Sequence, residues 1–347
     1  MRPFGLDISD SCIRLAVLER RRQRLWLPIR AEIPVPSGLI DDGEILNPNQ
    51  VSGLLKNLVK AAALKNRRAI VALPERHTFI KLISVPPTNS SSLRDQVLLE
   101  AGQHVPYQQD EMYFDWHSLN RTNSLGQTQV IIGAAPKTLV DTYLSVLHNS
   151  GIEPVSLEIE SLAIVRATFR PTEQKATQIL LDLGRSRSTL ILLQDGIVQF
   201  TSTLRYAGRE LNRYIAETLH ITEYQAERAK EIFGLDPDRG KGILLKILAP
   251  HIDQLATKVR EVESFFSEHF TDHRPLERIA LTGSGALLRG IDRELSSRLK
   301  LPVGRKPSWV FTDLLPTEVD LQRIIGYAYT TVFGLCLQNF ERHYDHS

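Results

Sequence analysis

Gly5-Leu6-Asp7-Ile8-Ser9-Asp10-Ser11-Cys12, running on into Ile13–Leu18 (IRLAVL), is the stretch that decides the fold. An apolar strand reaches an acidic residue, a turn of small polar residues follows, and a second apolar strand leaves it. This is the pattern of a β-hairpin. Half a chain later the same order returns without gaps, as Leu181-Asp182-Leu183-Gly184-Arg185-Ser186 and then Ser188–Leu193 (STLILL). A repeat at that separation predicts a duplicated domain.

Turns of small residues leave backbone N–H groups pointing into a concavity that suits anionic oxygens. Ser9–Cys12 and Gly184–Arg187 both fit that use. Asp7 and Asp182, just before the turns, would lie beside any phosphate held there. A carboxylate in that place needs a cation between, and Mg²⁺, held through carboxylates and phosphate oxygens, meets the need. Taken singly, each hairpin is better read as a plain turn whose Asp favours it. Their repetition favours a two-sided clamp, with a nucleoside triphosphate in the cleft between two related halves.

Outward from the hairpins, strands and helices alternate. Helices are expected from Pro136 at a first turn to Gly151, from about Ser91 to before Pro106, and over Glu44–Ala63, Arg209–Lys230 and Pro250–Phe270. The last carries Ile252, Leu255, Val259, Val262 and Phe266 as an apolar stripe. Short apolar strands are expected at Ala69–Leu73, Gln129–Gly133 and Ile279–Thr282. The alternation argues an α/β architecture. In Ile279–Leu288 (IALTGSGALL) a strand meets the turn Gly283-Ser284-Gly285 and a helix is expected to start, a place that favours anions. The spacing is not GxGxxG, and no GxxxxGK[ST] occurs in the chain, so this turn alone reads equally well as structural.

Composition narrows the class. Over 347 residues, 42 basic side chains nearly cancel 40 acidic ones, so the net charge of +2 offers nothing for nucleic acid. Two distant cysteines, Cys12 and Cys336, form neither a disulfide framework nor a metal motif. The ten histidines include no HExxH, and His343 with His346 falls in the terminal tail. Arg20-Arg21-Arg22-Gln23-Arg24 reads as a solvated hairpin tip, and Pro86-Pro87-Thr88-Asn89 as a loop. Phe4-Gly5-Leu6-Asp7 begins structure at once, and no apolar run reaches the roughly 20 residues of a bilayer span. A cytoplasmic chain is expected, with any membrane contact made through a partner.

Together the hairpin at Asp7, the hairpin at Asp182 and the glycine turn at Gly283 resemble the phosphate-1, phosphate-2 and adenosine motifs of the actin superfamily of ATPases. More closely, the chain resembles the PilM family, actin-like type IV pilus assembly proteins. The segments that carry the resemblance include Gly5–Leu18, Pro36–Ile45 (PSGLIDDGEI), Leu99–Pro106 (LEAGQHVP), Asp110–Trp116 (DEMYFDW), Gly133–Val140 (GAAPKTLV) and Gly151–Ala163 (GIEPVSLEIESLA). Leu181–Leu193, Gly208–Lys230 and Ile279–Gly290 complete the series. Each is weak alone, while their order and spacing are specific.

The resemblance implies an actin-like (ribonuclease H-like) duplicated α/β fold with an inserted FtsA-type subdomain. Residues 1–66 would open domain 1, 67–148 form the insertion, and 149–176 finish domain 1. Residues 177–325 would form domain 2, with a helical subdomain at about 206–275, and 326–347 return to domain 1. It implies ATP and Mg²⁺ as ligands, with Asp7 and Asp182 on the metal. Nucleotide would meet Asp7, Ser9, Asp10, Ser11 and Cys12 on one side and Asp182, Gly184, Arg185 and Ser186 on the other. Gly208, Asn212, Glu227, Lys230, Gly283, Ser284 and Gly285 would serve the adenosine. From the residues alone, Glu227 and Lys230 read as an exposed salt-bridged face. Glu160 falls where the superfamily orients the attacking water, and reads equally well as a surface Glu near a helix start.

Two departures stand out. Ser9 replaces the Gly of many actin-like proteins, and Arg185 and Arg187 replace small residues. They could pair with phosphate oxygens or face solvent, and solvent is expected for Arg187. As partner, the resemblance implies the short cytoplasmic N-terminal peptide of a PilN-like inner-membrane protein, docked beside the inserted subdomain. Other pilus platform proteins, motor ATPases and self-association follow as further partners, with the chain peripheral to the inner membrane. An FtsA-like division protein is one alternative, although Asn339–Ser347 (NFERHYDHS) lacks an amphipathic anchor. A sugar kinase-like enzyme is the other, with no signal for a substrate pocket or base. At most slow ATP hydrolysis is expected.

Overall fold

Period-two alternation builds the first sheet, whose central strands are buried on both faces. In the computed structural model, which describes residues 2–21, 24–87, 92–104, 109–170, 175–270, 272–310 and 325–341, the chain forms two units. The first comprises Met1–Ala163, Ile197–Thr201 and Thr331–Ser347, and the second Ile164–Gly196 and Ser202–Thr330.

The first unit opens with β1 (Phe4–Ile8), β2 (Cys12–Arg21) and β3 (Arg24–Pro34), a pair of antiparallel hairpins. A small hairpin, β4 (Ile40–Asp41) and β5 (Glu44–Ile45), leads to α1 (Pro48–Ala61). Next come β6 (Arg68–Leu73), β7 (Phe79–Val85), α2 (Leu93–Ala101), β8 (Met112–Thr122), β9 (Thr128–Pro136) and α3 (Lys137–Asn149). Then β10 (Glu153–Ile159) runs straight into α4 (Glu160–Thr168). The five-stranded sheet has the order β10-β6-β1-β2-β3, with β6 parallel to both β1 and β10. Along β6, Ala69, Val71 and Leu73 join a core with α1 and α3, while Ile70 and Ala72 pack with Ala163 and Leu335. Alternate residues of one strand therefore serve two apolar layers. β6 and nearly all of α3, which fall within residues 67–148, thus belong to the core of the first hairpins. The strands β7, β9 and β8 lie outside the five-stranded sheet, in an antiparallel run that Phe200 joins opposite Lys81, and pack on α2 through Ile83, Val97, Ala101, Val130 and Ile132.

In the second unit β11 (Thr177–Leu183) and β12 (Ser188–Gln194) form the second hairpin, and β13 (Ile197–Leu204), whose residues Ile197–Thr201 belong to the first unit, follows the Asp195-Gly196 turn. The helices α5 (Gly208–Leu219), α6 (Glu223–Phe233) and α7 (Ile243–His269) come next. Then come β14 (Arg278–Thr282), α8 (Ile291–Leu299) and β15 (Val303–Arg305), and α9 (Thr330–Glu341), in the first unit from Thr331, is the last of the described elements. The order β15-β14-β11-β12 repeats the arrangement of the first sheet. β11 is antiparallel to β12 and parallel to β14, as β1 is antiparallel to β2 and parallel to β6. The duplication read from the two hairpins extends to topology.

Several expected elements differ in extent. The helix expected over Glu44–Ala63 begins at Pro48, because Asp42 and Gly43, both at positive φ, turn a hairpin first. Asn47 then caps the helix by accepting the Gln50 N–H at 3.1 Å. Pro136 ends β9 in an extended conformation, and α3 starts one residue on. Arg209–Lys230 is two helices. His220 takes a left-handed conformation, and Thr222 with Gln225 forms a capping box that starts α6. The helix expected from Pro250 begins at Ile243 and runs through the proline. Leu244, Leu248, Ile252 and Leu255 are all buried on one face. Burial of several such side chains, about 1.5–3 kcal/mol each, outweighs the ~3 kcal/mol cost of an interior proline. Ser91, Pro106, Thr88, Asn89, Arg22, Gln23 and the tail with His343 and His346 lie outside the described residues.

Candidate functional site

The first hairpin turn is closed by Ser9, whose N–H and hydroxyl both donate to the Cys12 carbonyl, at 3.2 and 2.8 Å. That double bond to one acceptor is available to Ser and absent in Gly, so Ser9 serves the turn itself. The Asp10 carboxylate accepts the backbone N–H groups of Asp42 and Gly43, at 3.1 and 2.8 Å. It ties the turn to the β4–β5 hairpin. The Ser11 carbonyl accepts the Val35 N–H. The Cys12 thiol faces Glu32 at 3.9 Å, and burial pushes its pKa up to about 11. Of the five residues expected to meet nucleotide here, Ser9, Asp10 and Cys12 thus have side chains engaged within the unit.

Asp7 is buried at the end of β1, directly opposite Arg14 on β2, whose guanidinium also pairs with Glu32 at 3.0 Å. Paired positions of an antiparallel ribbon share a face, so the Asp7 carboxylate has a cation for a neighbour. Asp182, at the equivalent place, lies opposite Thr189. The two aspartates are alike in position and differ in the residue set across from them.

Glu160 is the first residue of α4 and is only 9% exposed, so it is not the surface Glu that the sequence allowed. Beside it is Glu75, fully buried, which accepts the Ser161 N–H at 3.2 Å and the Thr201 hydroxyl. Burial raises the Glu75 pKa, the Thr201 and Ser161 bonds oppose it, and the charge of Glu160 raises it further. Sequence reading passed over Glu75, since a lone Glu after Leu73-Pro74 carries no motif. Arg14 was also passed over, although the hairpin register would have placed it across from Asp7.

In the second unit, three segments converge. The Gly184 and Arg185 carbonyls accept the N–H groups of Gly208 and Arg209, at 3.1 and 2.9 Å. Lys230, in the last turn of α6, donates to the Gly208 carbonyl at 3.0 Å, and its pKa is lowered by burial. Arg185 pairs with Glu227 at 3.5 Å. The helix face read as an ordinary surface salt bridge instead crosses to the hairpin turn. Arg187 is half-buried, against the solvent position expected. The Ser186 Oγ and Asn212 Oδ1 atoms are buried with no hydrogen-bond partner.

The glycine turn packs on the same strand end. A Cβ at Gly283, where φ is +75°, would overlap Asp182 Oδ1, and one at Gly285 would lie 2.8 Å from the Leu183 carbonyl oxygen. Glycine is therefore required for close approach to the Asp182 strand. The helix expected after this turn is a single 3₁₀ turn, Ser284–Leu287, and α8 starts only at Ile291. The short turn makes a weaker anion site than the α-helix expected, and Ser284 is exposed.

Among the described residues no group of three or more His, Cys, Asp or Glu side chains is placed to hold a metal. Single carboxylates such as Asp7 and Asp182 suit Mg²⁺, which binds mainly through phosphate oxygens and water. The unpartnered Ser186 and Asn212 atoms are what a polar ligand at the second hairpin would satisfy. Among the described residues no helix is long and apolar enough to cross a membrane.

The solved PilM–PilN type IV pilus biogenesis complex matches with a TM-score of 0.80 at 22% identity, over 98% of each chain. The ethanolamine utilization protein EutJ of Carboxydothermus hydrogenoformans matches at 0.55 and 16% identity, over 96% of this chain and 89% of that one. MreB5 of Spiroplasma citri, solved bound to ADP, matches at 0.57 and 11% identity, over 99% and 98%. These likenesses speak for the fold, which is actin-like. The cell division protein FtsA of Bacillus subtilis (strain 168) is 26% identical over 98 residues, 28% of this chain and 22% of that protein. The match to that curated relative thus spans about a fifth of its length. The sequence profile described as type IV pilus assembly protein PilM matches residues 5–340. The chain belongs to the PilM family of type IV pilus assembly proteins.

Proposed function

We propose that the chain is a nucleotide-dependent scaffold of the type IV pilus inner-membrane platform. ATP with Mg²⁺ binds the two Asp hairpins, and the protein captures the cytoplasmic N-terminal peptide of a PilN-like membrane protein. The observation that carries the nucleotide reading is the pair of buried, unpartnered atoms at the second hairpin, Ser186 Oγ and Asn212 Oδ1. Leaving a polar group buried and unpaired costs about 1–3 kcal/mol, which a bound nucleotide would offset. MreB5, with the same fold, was solved with ADP and with AMPPNP, and a PilM was solved with PilN. Asp7 and Asp182 would hold the cation, whose role is to neutralise the phosphates. Glu160, at the α4 N-terminus, would orient water.

The antiparallel strands β7, β9 and β8 with α2 are the part of residues 67–148 best suited to be the inserted subdomain, since β6 and α3 serve the first core. A peptide docking beside this layer would gain backbone hydrogen bonds and a few apolar anchors. The scaffold would then sit at the cytoplasmic face of the inner membrane through that peptide. Other platform proteins, motor ATPases and further copies of the chain would gather there.

Sedimentation with vesicles tests the reading. Purified protein should stay in the supernatant with bare vesicles, and pellet with vesicles displaying a PilN-type N-terminal peptide, more so with ATP than without. Pelleting with bare vesicles at physiological salt would contradict partner-dependent recruitment.

A further inference from the structure

We propose that the outer edge of β3 pairs antiparallel with the same edge of a second copy of this chain, in the register that sets Arg30 against Glu32. The inference rests on the self-association in the function proposed above and gives it a surface. It needs neither nucleotide nor peptide.

β3 is the last strand of the five-stranded sheet. The Val35 N–H donates to the Ser11 carbonyl at 3.1 Å, in the register that continues through Ile13 with Ile33 and Leu15 with Ala31. The direction of backbone hydrogen bonding alternates along a strand. Val35, Ile33, Ala31 and Ile29 therefore turn their groups to β2, and Arg30, Glu32 and Pro34 turn theirs outward. Side chains alternate between the two faces in the same way. Ile29, Ala31 and Ile33 pack against the core, while Arg30 and Glu32 are exposed together on the other face.

Prolines bound the open part of this edge. Pro28 and Pro34 have no N–H, so Arg30 and Glu32 supply the outward donors between them. Edges charged with one sign repel their own copies. Here the two outward positions carry opposite signs. About a two-fold axis at Ala31, Arg30 faces Glu32 of the second copy, and Glu32 faces Arg30 of the second copy. The N–H and carbonyl groups of both residues are then paired across the axis. A shift to either neighbouring register sets Arg30 against Arg30, or Glu32 against Glu32, and like charges directly opposite are destabilising. The charge pattern thus selects one register. Pro28 stands across from Pro34 in that register, so the missing donors fall together at its two ends. Glu32 is held by Arg14 at 3.0 Å and still leaves 52% of its side chain exposed. The open part is short, so the association is weak and depends on concentration.

Sedimentation equilibrium of the full chain from about 1 μM to 1 mM tests this. The wild type should pass from monomer towards dimer. Arg30→Glu and Glu32→Arg should each weaken self-association at least about fivefold, since each sets like charges face to face. An equimolar mixture of the two variants should associate as the wild type does, because each then meets its opposite in the other. Arg30→Glu alters an exposed side chain on the outward edge, so it serves as the arm that keeps the fold if Glu32→Arg disturbs Arg14. A wild type that stays monomeric throughout would refute both this pairing and self-association. Association that persists unchanged in Arg30→Glu, or a mixture no stronger than either variant alone, would refute this edge and leave self-association standing. The vesicle test of peptide capture is independent of all three results.

Discussion

Asp10 Oδ1 accepts the backbone N–H of Gly43 at 2.8 Å, and the carbonyl of that same glycine accepts the Tyr143 hydroxyl at 2.8 Å. The first hairpin turn is thereby linked through one residue to α3. Any displacement of the turn by a ligand would be felt at the β4–β5 hairpin. The two Asp10 bonds are charge-assisted, which makes them stronger than neutral ones.

Asp10→Ala should therefore destabilise the chain by about 1–3 kcal/mol. Urea unfolding measures this directly. Limited proteolysis should cut the mutant faster within residues 38–46. Wild-type stability in the mutant would mean that the hairpin is held by other contacts.

Glu75 gives a pH signature. Its folded pKa is raised from 4.5 by burial, so the fold favours the protonated carboxyl. The associated stability is fully present below pH 4.5 and is lost as pH rises through the folded pKa. Glu75→Gln keeps a neutral group in place, so its stability relative to wild type should rise as pH increases above 4.5. A difference that stays flat with pH would show that Glu75 does not titrate in the fold.

Much of this was legible in the sequence, for identifiable reasons. The hairpins at Asp7 and Asp182 repeat a period-two pattern around turns of small residues, and such local patterns survive folding. The helix expected from Pro250 starts earlier because the tertiary burial of Leu244 and Leu248 exceeds the local penalty of an interior proline. The break between α5 and α6 was visible in Thr222 and Gln225, a capping-box spacing inside an apolar-periodic run. Glu75 and the Asp10–Gly43 link could not be read, since each depends on residues distant in the chain meeting in space. That Asp7 faces Arg14 while Asp182 faces Thr189 follows from the register of each hairpin.

Asn212 separates a structural role from a binding one. Replacing Asn212, whose buried Oδ1 has no hydrogen-bond partner, with an apolar isostere removes an uncompensated polar atom. Asn212→Leu should thus keep or raise the melting temperature of the nucleotide-free protein while weakening ATP at least about fivefold. Loss of stability with unchanged ATP affinity would assign Asn212 to the core alone.

Glu160→Ala should lower ATP turnover and leave ATP affinity unchanged. Wild-type turnover itself should fall well below the usual enzyme median of about 10 s⁻¹. A phosphate-release assay at saturating ATP reads both. Unchanged turnover in the variant would remove Glu160 from the water-orienting role.

The central claim is that the duplicated Asp hairpins hold the nucleotide, and calorimetric titration of ATP with Mg²⁺ tests it most directly. Wild-type protein should bind, and Asp182→Ala should bind at least about tenfold more weakly. Equal affinity in the two proteins would contradict the claim.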